Sequence, residues 1–205
     1  MNPIFALIPA AGRSRRMQSH KLLLPLGART VIECVLDALS PVVERVFVLV
    51  RSDDSALQAA ISAHGGAAVV IARHDPPDMR ASVELLLGAV EHDCRPGPSA
   101  GWLLTPADHP VIHAEVVQTL VGGFRRQPLS IHLPTYQGKG GHPTIFPWGL
   151  AERVREIPRN EGLNSLRRLS GIETVLHPTE NPSVLWDIDT PADYQQLVRS
   201  IASRP

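Results

Sequence analysis

The sequence predicts an α/β fold: a largely parallel sheet with helices on both faces. Three observations carry this. Brief apolar runs bounded by Pro, Gly or charged residues alternate with stretches of helical periodicity from residue 3 to about residue 125. The runs are too short for stable helices, and repeated strand–helix units of this length connect parallel neighbours. Ligands in such folds sit at the carboxyl ends of the strands.

The elements follow in order. PIFALIP (3–9) reads as a first buried strand, and Val31, Ile32, Val35, Leu36 and Leu39 recur at helical spacing until Ser40-Pro41. ERVFVLV (44–50) is a second strand, DDSALQAAISAHG (53–65) a helix closed by glycine, and AAVVIA (67–72) a third strand. RASVELLLGAVEH (80–92) is helical, CRPGPSAG (94–101) a loop, and WLLT a fourth strand ending before Pro106. Residues 113–124 place Val116, Val117, Leu120, Val121 and Phe124 on one helical face. Beyond residue 125 the alternation loosens into LSIHLP (129–134), YQGKGGHPTIFP (136–147), helix-like stretches near 148–156 and 162–170, and a strand at ETVLHP (173–178). TPADYQQLVRSIA (190–202) closes as a helix with Thr190 as N-cap and Pro191 at its first position. One domain is expected, the regular alternation over about 1–125 being followed over about 126–190 by an excursion over the mouth of the sheet.

Composition narrows the function classes. Lys+Arg and Asp+Glu both number 20 in 205 residues, which argues against nucleic-acid binding through overall basicity. Cys34 and Cys94 offer neither a disulfide framework nor a CxxC metal site, and HExxH spacing is absent. The opening residues are apolar for only about seven positions and lack a basic leader, and no run reaches membrane length, so a cytoplasmic location is expected.

Against this neutral background the basic run AAGRSRRMQSHK (10–21) stands out. It follows the first strand, so it lies at the sheet's carboxyl edge, where the small residues Ala10, Ala11 and Gly12 let main-chain N–H groups approach an anion. Arg16 can hold a polyphosphate as a fork and Lys21 as a point charge, the alternative being a solvated basic turn. The run is neither a Walker A loop nor GxGxxG. In LLTPADHP (103–110) Asp108 falls just past a strand on the same edge, where a carboxylate beside phosphates suits Mg²⁺, although Asp-containing turns are common. In LWDIDTPADY (185–194) Asp187 and Asp189 point to one side of an extended segment and call for an opposing cation; Asp187 is the better metal candidate, since Asp189 can serve the following helix dipole. GKGGHP (138–143) suggests a close backbone approach to something bulky, with His142 as a candidate acceptor contact or a structural histidine.

These motifs resemble those of the MobA-like nucleotidyltransferases, which include the molybdenum cofactor cytidylyltransferases and guanylyltransferases. AAGRSRRMQSHK is similar to their AAGxSxRMxxxK signature, DMRASVELLLGAV (78–90) to GMxxSLxxG, TPADHP to DQP or DMP, GGHP to GHP, NEGLNSLRR (160–168) to the GxR-type helix, and DIDTPADY to DIDTPEDY. The resemblance implies a Rossmann-like three-layer α/β/α fold with a mostly parallel mixed sheet, akin to nucleotide-diphospho-sugar transferases. It implies an Mg²⁺-dependent enzyme in which an acceptor phosphate attacks the α-phosphate of an NTP and releases pyrophosphate. On that pattern Ala10, Ala11, Gly12, Arg16, Lys21, Ser82 and Asp108 bind nucleotide, with Arg16, Lys21 and Asp108 catalytic. Asp108 with Asp187 holds metal, and Gly141, His142 and Pro143 lie toward the acceptor. Arg13 and Arg15 fall at variable positions and are expected to matter little.

Four residues depart from the pattern: Gln18, Asp78 in place of glycine, His109 in place of Gln or Met, and Asn164 in place of the GxR arginine. Transfer of CMP from CTP to molybdopterin is the leading expectation, with a molybdoenzyme as possible client. Sugar- or alditol-phosphate nucleotidyl transfer and a non-catalytic molybdenum cofactor chaperone are the alternatives.

Overall fold

The structure, a computed structural model, describes residues 2–13, 17, 20–158 and 160–202. Arg15, Arg16 and Gln18 lie outside the described residues. The chain runs β1 (Ile4–Pro9), β2 (Pro25–Leu26), β3 (Arg29–Thr30), α1 (Val31–Leu39), β4 (Arg45–Arg51), α2 (Ser55–His64), β5 (Ala67–Ala72), α3 (Met79–Cys94), β6 (Gly101–Leu104) and α4 (Ala114–Arg126). It continues through β7 (Ile131–Tyr136), β8 (Lys139–Gly140), β9 (Thr144–Pro147), β10 (Thr174–Pro178) and α5 (Pro191–Ala202). The main sheet has the order β10-β7-β9-β6-β1-β4-β5, with β8 hairpinned onto β7 and β2 paired with β3 apart from it.

β1 pairs in parallel with both β4 and β6, β5 with β4, and β10 with β7. Only β9 breaks the run among the long strands: it is antiparallel to β6 and to β7. The sheet is therefore mixed but mostly parallel, as expected. Side chains of β1 alternate between two cores: Ile4, Ala6 and Ile8 join Val46, Val48 and Val50 under α1, α2, α4 and α5. Phe5 and Leu7 join Phe47, Leu49 and Trp102 under α3. Burial on both faces explains why the strands read as unbroken apolar runs.

Local chemistry starts the helices where the sequence indicates. Thr30 and Glu33 form a reciprocal capping box on α1. Asp54 accepts from the Leu57 N–H at the start of α2, and Gly65 ends that helix at φ 74°. Thr190 and Asp193 cap α5 in the same reciprocal way as α1, the Thr190 N–H reaching Asp193 Oδ2 at 2.7 Å.

Two expectations are corrected. The stretches near 148–156 and 162–170 are short 3-10 turns (Trp148–Leu150, Glu152–Glu156, Leu163–Arg168), not α-helices. The first two lie between Pro147 and Pro158 with Gly149 inside, too short a span to repay helix nucleation. The second half is also less an excursion over the sheet's mouth than an extension of the sheet itself, supplying β9, β7 and β10. β9 is drawn into the middle by Phe146, which stacks on the buried Trp102 at 4.2 Å between ring centroids.

The paired glycines of GKGGHP have a structural cause. A Cβ on Gly141 would lie 2.3 Å from the Val184 carbonyl oxygen. The bulky neighbour expected there is thus the chain's own 182–185 turn, held by the His142 N–H to Val184 O bond of 2.8 Å. Gly141→Ala is expected to lower unfolding free energy in urea by about 2 kcal/mol. Gly149→Ala, with open space around the new methyl, is expected to change it by less than about 0.5 kcal/mol.

Candidate active site

The carboxyl ends of β1 and β6 and the N-terminus of α3 enclose a cleft of about 310 Å³. Pro9, Ala10, Ala11 and Gly12 form one wall, Pro106, Ala107 and Asp108 a second, and Asp78, Met79 and Ser82 a third, with Lys21 at the mouth. Neighbouring parallel strands end together, so loops far apart in sequence meet here. The Ala10 N–H is committed to the Leu49 carbonyl at 2.9 Å, so Ala10 shapes the cleft without lending an amide to an anion. That narrows the expected cradle to Ala11 and Gly12.

Lys21 crosses the cleft. Its ammonium bonds the Asp108 carboxylate, donates to the Ile188 carbonyl at 2.9 Å, and lies 3.8 Å from Asp189 Oδ1. Both members of the Lys21–Asp108 pair are mostly shielded, the side chains 14% and 22% exposed. Removing either charge would strand the other in a poorly solvated place. The Ile188 N–H donates to the Asp108 carbonyl at 3.0 Å, which ties the DID segment to the end of β6.

Asp187 stands beyond this tie, at the edge of a neighbouring hollow of about 220 Å³ that Leu185, Trp186 and Leu197 also line. Its Oδ1 lies 3.2 Å from Nδ1 of the fully buried His109, and this bond holds its carboxyl below the usual range. His142 packs edge-on against His109, with ring centroids 5.8 Å apart. Burial, reinforced by His109, pushes the His142 imidazole down to about 4. His142 does not line this cleft; it backs the His109–Asp187 pair.

The described basic residues of the run have acidic partners. Arg13 bonds Asp75 through Nε at 2.5 Å and through Nη2 at 3.2 Å, and reaches Asp53 at 3.2 Å. Arg51, at the end of β4, donates to the Gly12 carbonyl at 2.9 Å and bonds Asp53 and Asp54. His20 meets both oxygens of Asp54 at 2.8 Å. Arg13, expected to matter little, is thus paired with Asp75 and Asp53, while sequence reasoning missed Arg51, Asp53, Asp54 and Asp75. The one available signal was VRSDD, a strand ending in an arginine beside two aspartates.

Asp108 and Asp187 suit a hard cation. No group of three or more His, Cys, Asp or Glu side chains forms a ready-made cage among the described residues. Asp108 lines the cleft and Asp187 the neighbouring hollow, on segments tied by the Ile188–Asp108 backbone bond, and carboxylates of this kind serve a Mg²⁺-like ion that takes its other ligands from phosphate oxygens and water. The residues present therefore fit the metal.

Residues 6–177 match the model of the MobA-like NTP transferase domain. The chain belongs to this family of nucleotidyltransferases. No curated protein sequence matches it. Among solved structures it is similar to Rv0371c of Mycobacterium tuberculosis H37Rv, with TM-score 0.80, 24% identity and coverage of 97% of this chain and 99% of that one. Another structure of that protein was solved in complex with manganese, with TM-score 0.76, 23% identity and coverage of 97% and 100%. A nucleotidyl transferase from Methanothermobacter (Mth528) aligns with TM-score 0.81 at 20% identity over 98% and 99% of the two chains. The molybdopterin-guanine dinucleotide biosynthesis protein A of Archaeoglobus fulgidus aligns with TM-score 0.69 at 16% identity over 98% and 100%. At these identities the likeness establishes the fold.

In this nucleotidyltransferase the family's motif positions receive unequal structural support. Ser82 lines the cleft, and its hydroxyl donates to the Asp78 carbonyl at 3.1 Å. Asp78, in place of glycine, caps α3 by accepting from the Ala81 N–H at 2.8 Å from an extended backbone that any residue can adopt. Asn164 sits exposed on a 3-10 turn and does not line the cleft. No helix among the described residues is long and apolar enough to cross a membrane.

Because the folded His142 titrates near 4 against an ordinary 6.5, the unfolded chain binds more protons between those values. Stability is expected to fall as pH drops through that window, by about 3 kcal/mol from this group. Urea unfolding at pH 7 and pH 4 checks this: His142→Gln is expected to lose less stability than the native chain by about that amount.

Proposed function

We propose that this enzyme transfers an NMP, with CMP from CTP favoured, to the phosphate of molybdopterin or molybdenum cofactor and releases pyrophosphate in a magnesium-dependent reaction. The observation that carries the reading is the Lys21–Asp108 pair at the mouth of the cleft, opposite the Ala11-Gly12 backbone. The molybdopterin acceptor is supported by the motif resemblance and by the name of the A. fulgidus relative in fold. A divalent metal is supported by the manganese complex of Rv0371c.

In this reading the first half of the chain, to about residue 125, holds the nucleotide, and residues 126–190 serve the acceptor. Ala11 and Gly12 line the triphosphate with backbone, Ala10 supports them from within the sheet, and Ser82 lies toward the base or ribose. Lys21 leaves Asp108 for the α-phosphate, and Arg16, outside the described residues, steadies the β- and γ-phosphates. Asp108 and Asp187 hold the metal, with Asp189 the lesser candidate. When bound, the ion neutralises charge on the phosphate oxygens. Gly141, His142 and Pro143 shape the acceptor side by fixing the turn that carries Asp187.

An oxygen of the acceptor phosphate attacks the α-phosphorus, and the bond to the β-phosphate oxygen breaks. A phosphate nucleophile is already an anion, so the protein contributes position and positive charge and needs no general base. Pyrophosphate release, measured with each NTP against molybdopterin and against sugar and alditol phosphates, is expected to be fastest with CTP and molybdopterin. Asp108→Asn is expected to lower that rate about 10²-fold or more while leaving the fold intact. A non-catalytic cofactor carrier would instead release no pyrophosphate with any pair and would keep its biological role in Asp108→Asn.

A further inference from the structure

We propose that His109 is a positioning residue for Asp187, holding one carboxylate oxygen so that the other stays available to a divalent cation. The proposal rests on the reading of Asp108 and Asp187 as the metal pair. The His109 side chain has no exposure, whereas that of Asp187 is 51% exposed, so a fully enclosed group holds a half-exposed one. A ring nitrogen facing a carboxylate oxygen carries the proton, which assigns Nδ1–H as the donor to Oδ1 over 3.2 Å. The other nitrogen, Nε2, is buried without a hydrogen-bond partner among the described residues. A histidine kept only for packing would gain nothing from a stranded ring nitrogen, and such local costs gather where a side chain serves a site.

The ring has little freedom to turn. His142 closes one side at 70° between ring planes. The His142 N–H to Val184 O bond and the Ile188 N–H to Asp108 O bond join the three segments that carry the cluster. Since the backbone on either side of Asp187 is pinned in this way, the carboxylate's own rotation is the freedom left, and Nδ1 restrains it. Partners of this kind orient ligating side chains and tune metal affinity.

The test is Mn²⁺ binding to the purified full chain, followed by electron paramagnetic resonance, with thermal melting of each variant alongside. Asp187→Ala and His109→Met are each expected to weaken Mn²⁺ binding about 10-fold or more. His109→Asn, which returns an N–H near the δ position, is expected to restore most of the affinity. The proposal is overturned if His109→Met binds Mn²⁺ as the native chain does while Asp187→Ala is weakened, even if its melting temperature falls. It is equally overturned if Asn binds as poorly as Met. Native affinity in both Asp108→Ala and Asp187→Ala would remove the metal reading itself, and the proposal with it.

Discussion

The bond between Lys21 and Asp108 is the interaction around which the site is organised. It joins two residues 87 apart in sequence across the carboxyl edge of the sheet, and the same ammonium reaches the Ile188 carbonyl 167 residues away. A partly shielded ion pair of this kind adds little to stability, because desolvation offsets most of the attraction. Its value lies in storage. In the proposed reading each charge keeps the other from needing water until a triphosphate and a cation take their places.

The fold makes this possible by ending β1 and β6 side by side. With β1 bonded to β4 on one flank and β6 on the other, the basic loop and the TPADHP turn leave the sheet as neighbours. Arg51 bonds the Gly12 carbonyl, Arg13 bonds Asp53 and Asp75, and His20, beside Lys21, bonds Asp54. On the far side, antiparallel β9 places the GGHP turn beneath the DID segment. Three segments carrying Asp108, His142 and Asp187 are thereby laced by backbone bonds before any ligand binds.

Much of this was legible in the sequence, because buried parallel strands and capped helices are written in contiguous residues. The first eight elements of the α/β alternation, the cap at Thr190 and the edge position of Asp108 all follow from local pattern. Strand direction does not: only the pairing of TIFP with β6 and β7 shows that this segment is a strand and that it runs opposite. Pairings across long separations were hidden for the same reason. Arg13 was expected to matter little because it falls at a variable position of the family signature, and its partners, 40 and 62 residues away, were not visible from local pattern. His109 looked like a simple departure from the family pattern, because Asp187 lies 78 residues further on.

The central claim is that Lys21 and Asp108 exchange each other for phosphate and metal. Diffraction from crystals grown with CTP and Mn²⁺, collected at the manganese absorption edge, tests it directly. The account predicts an anomalous peak on the Asp108 carboxylate, shared with triphosphate oxygens, and the Lys21 ammonium moved onto the α-phosphate. Nucleotide bound in the cleft with Lys21 still paired to Asp108, and no manganese on either Asp108 or Asp187, would contradict it.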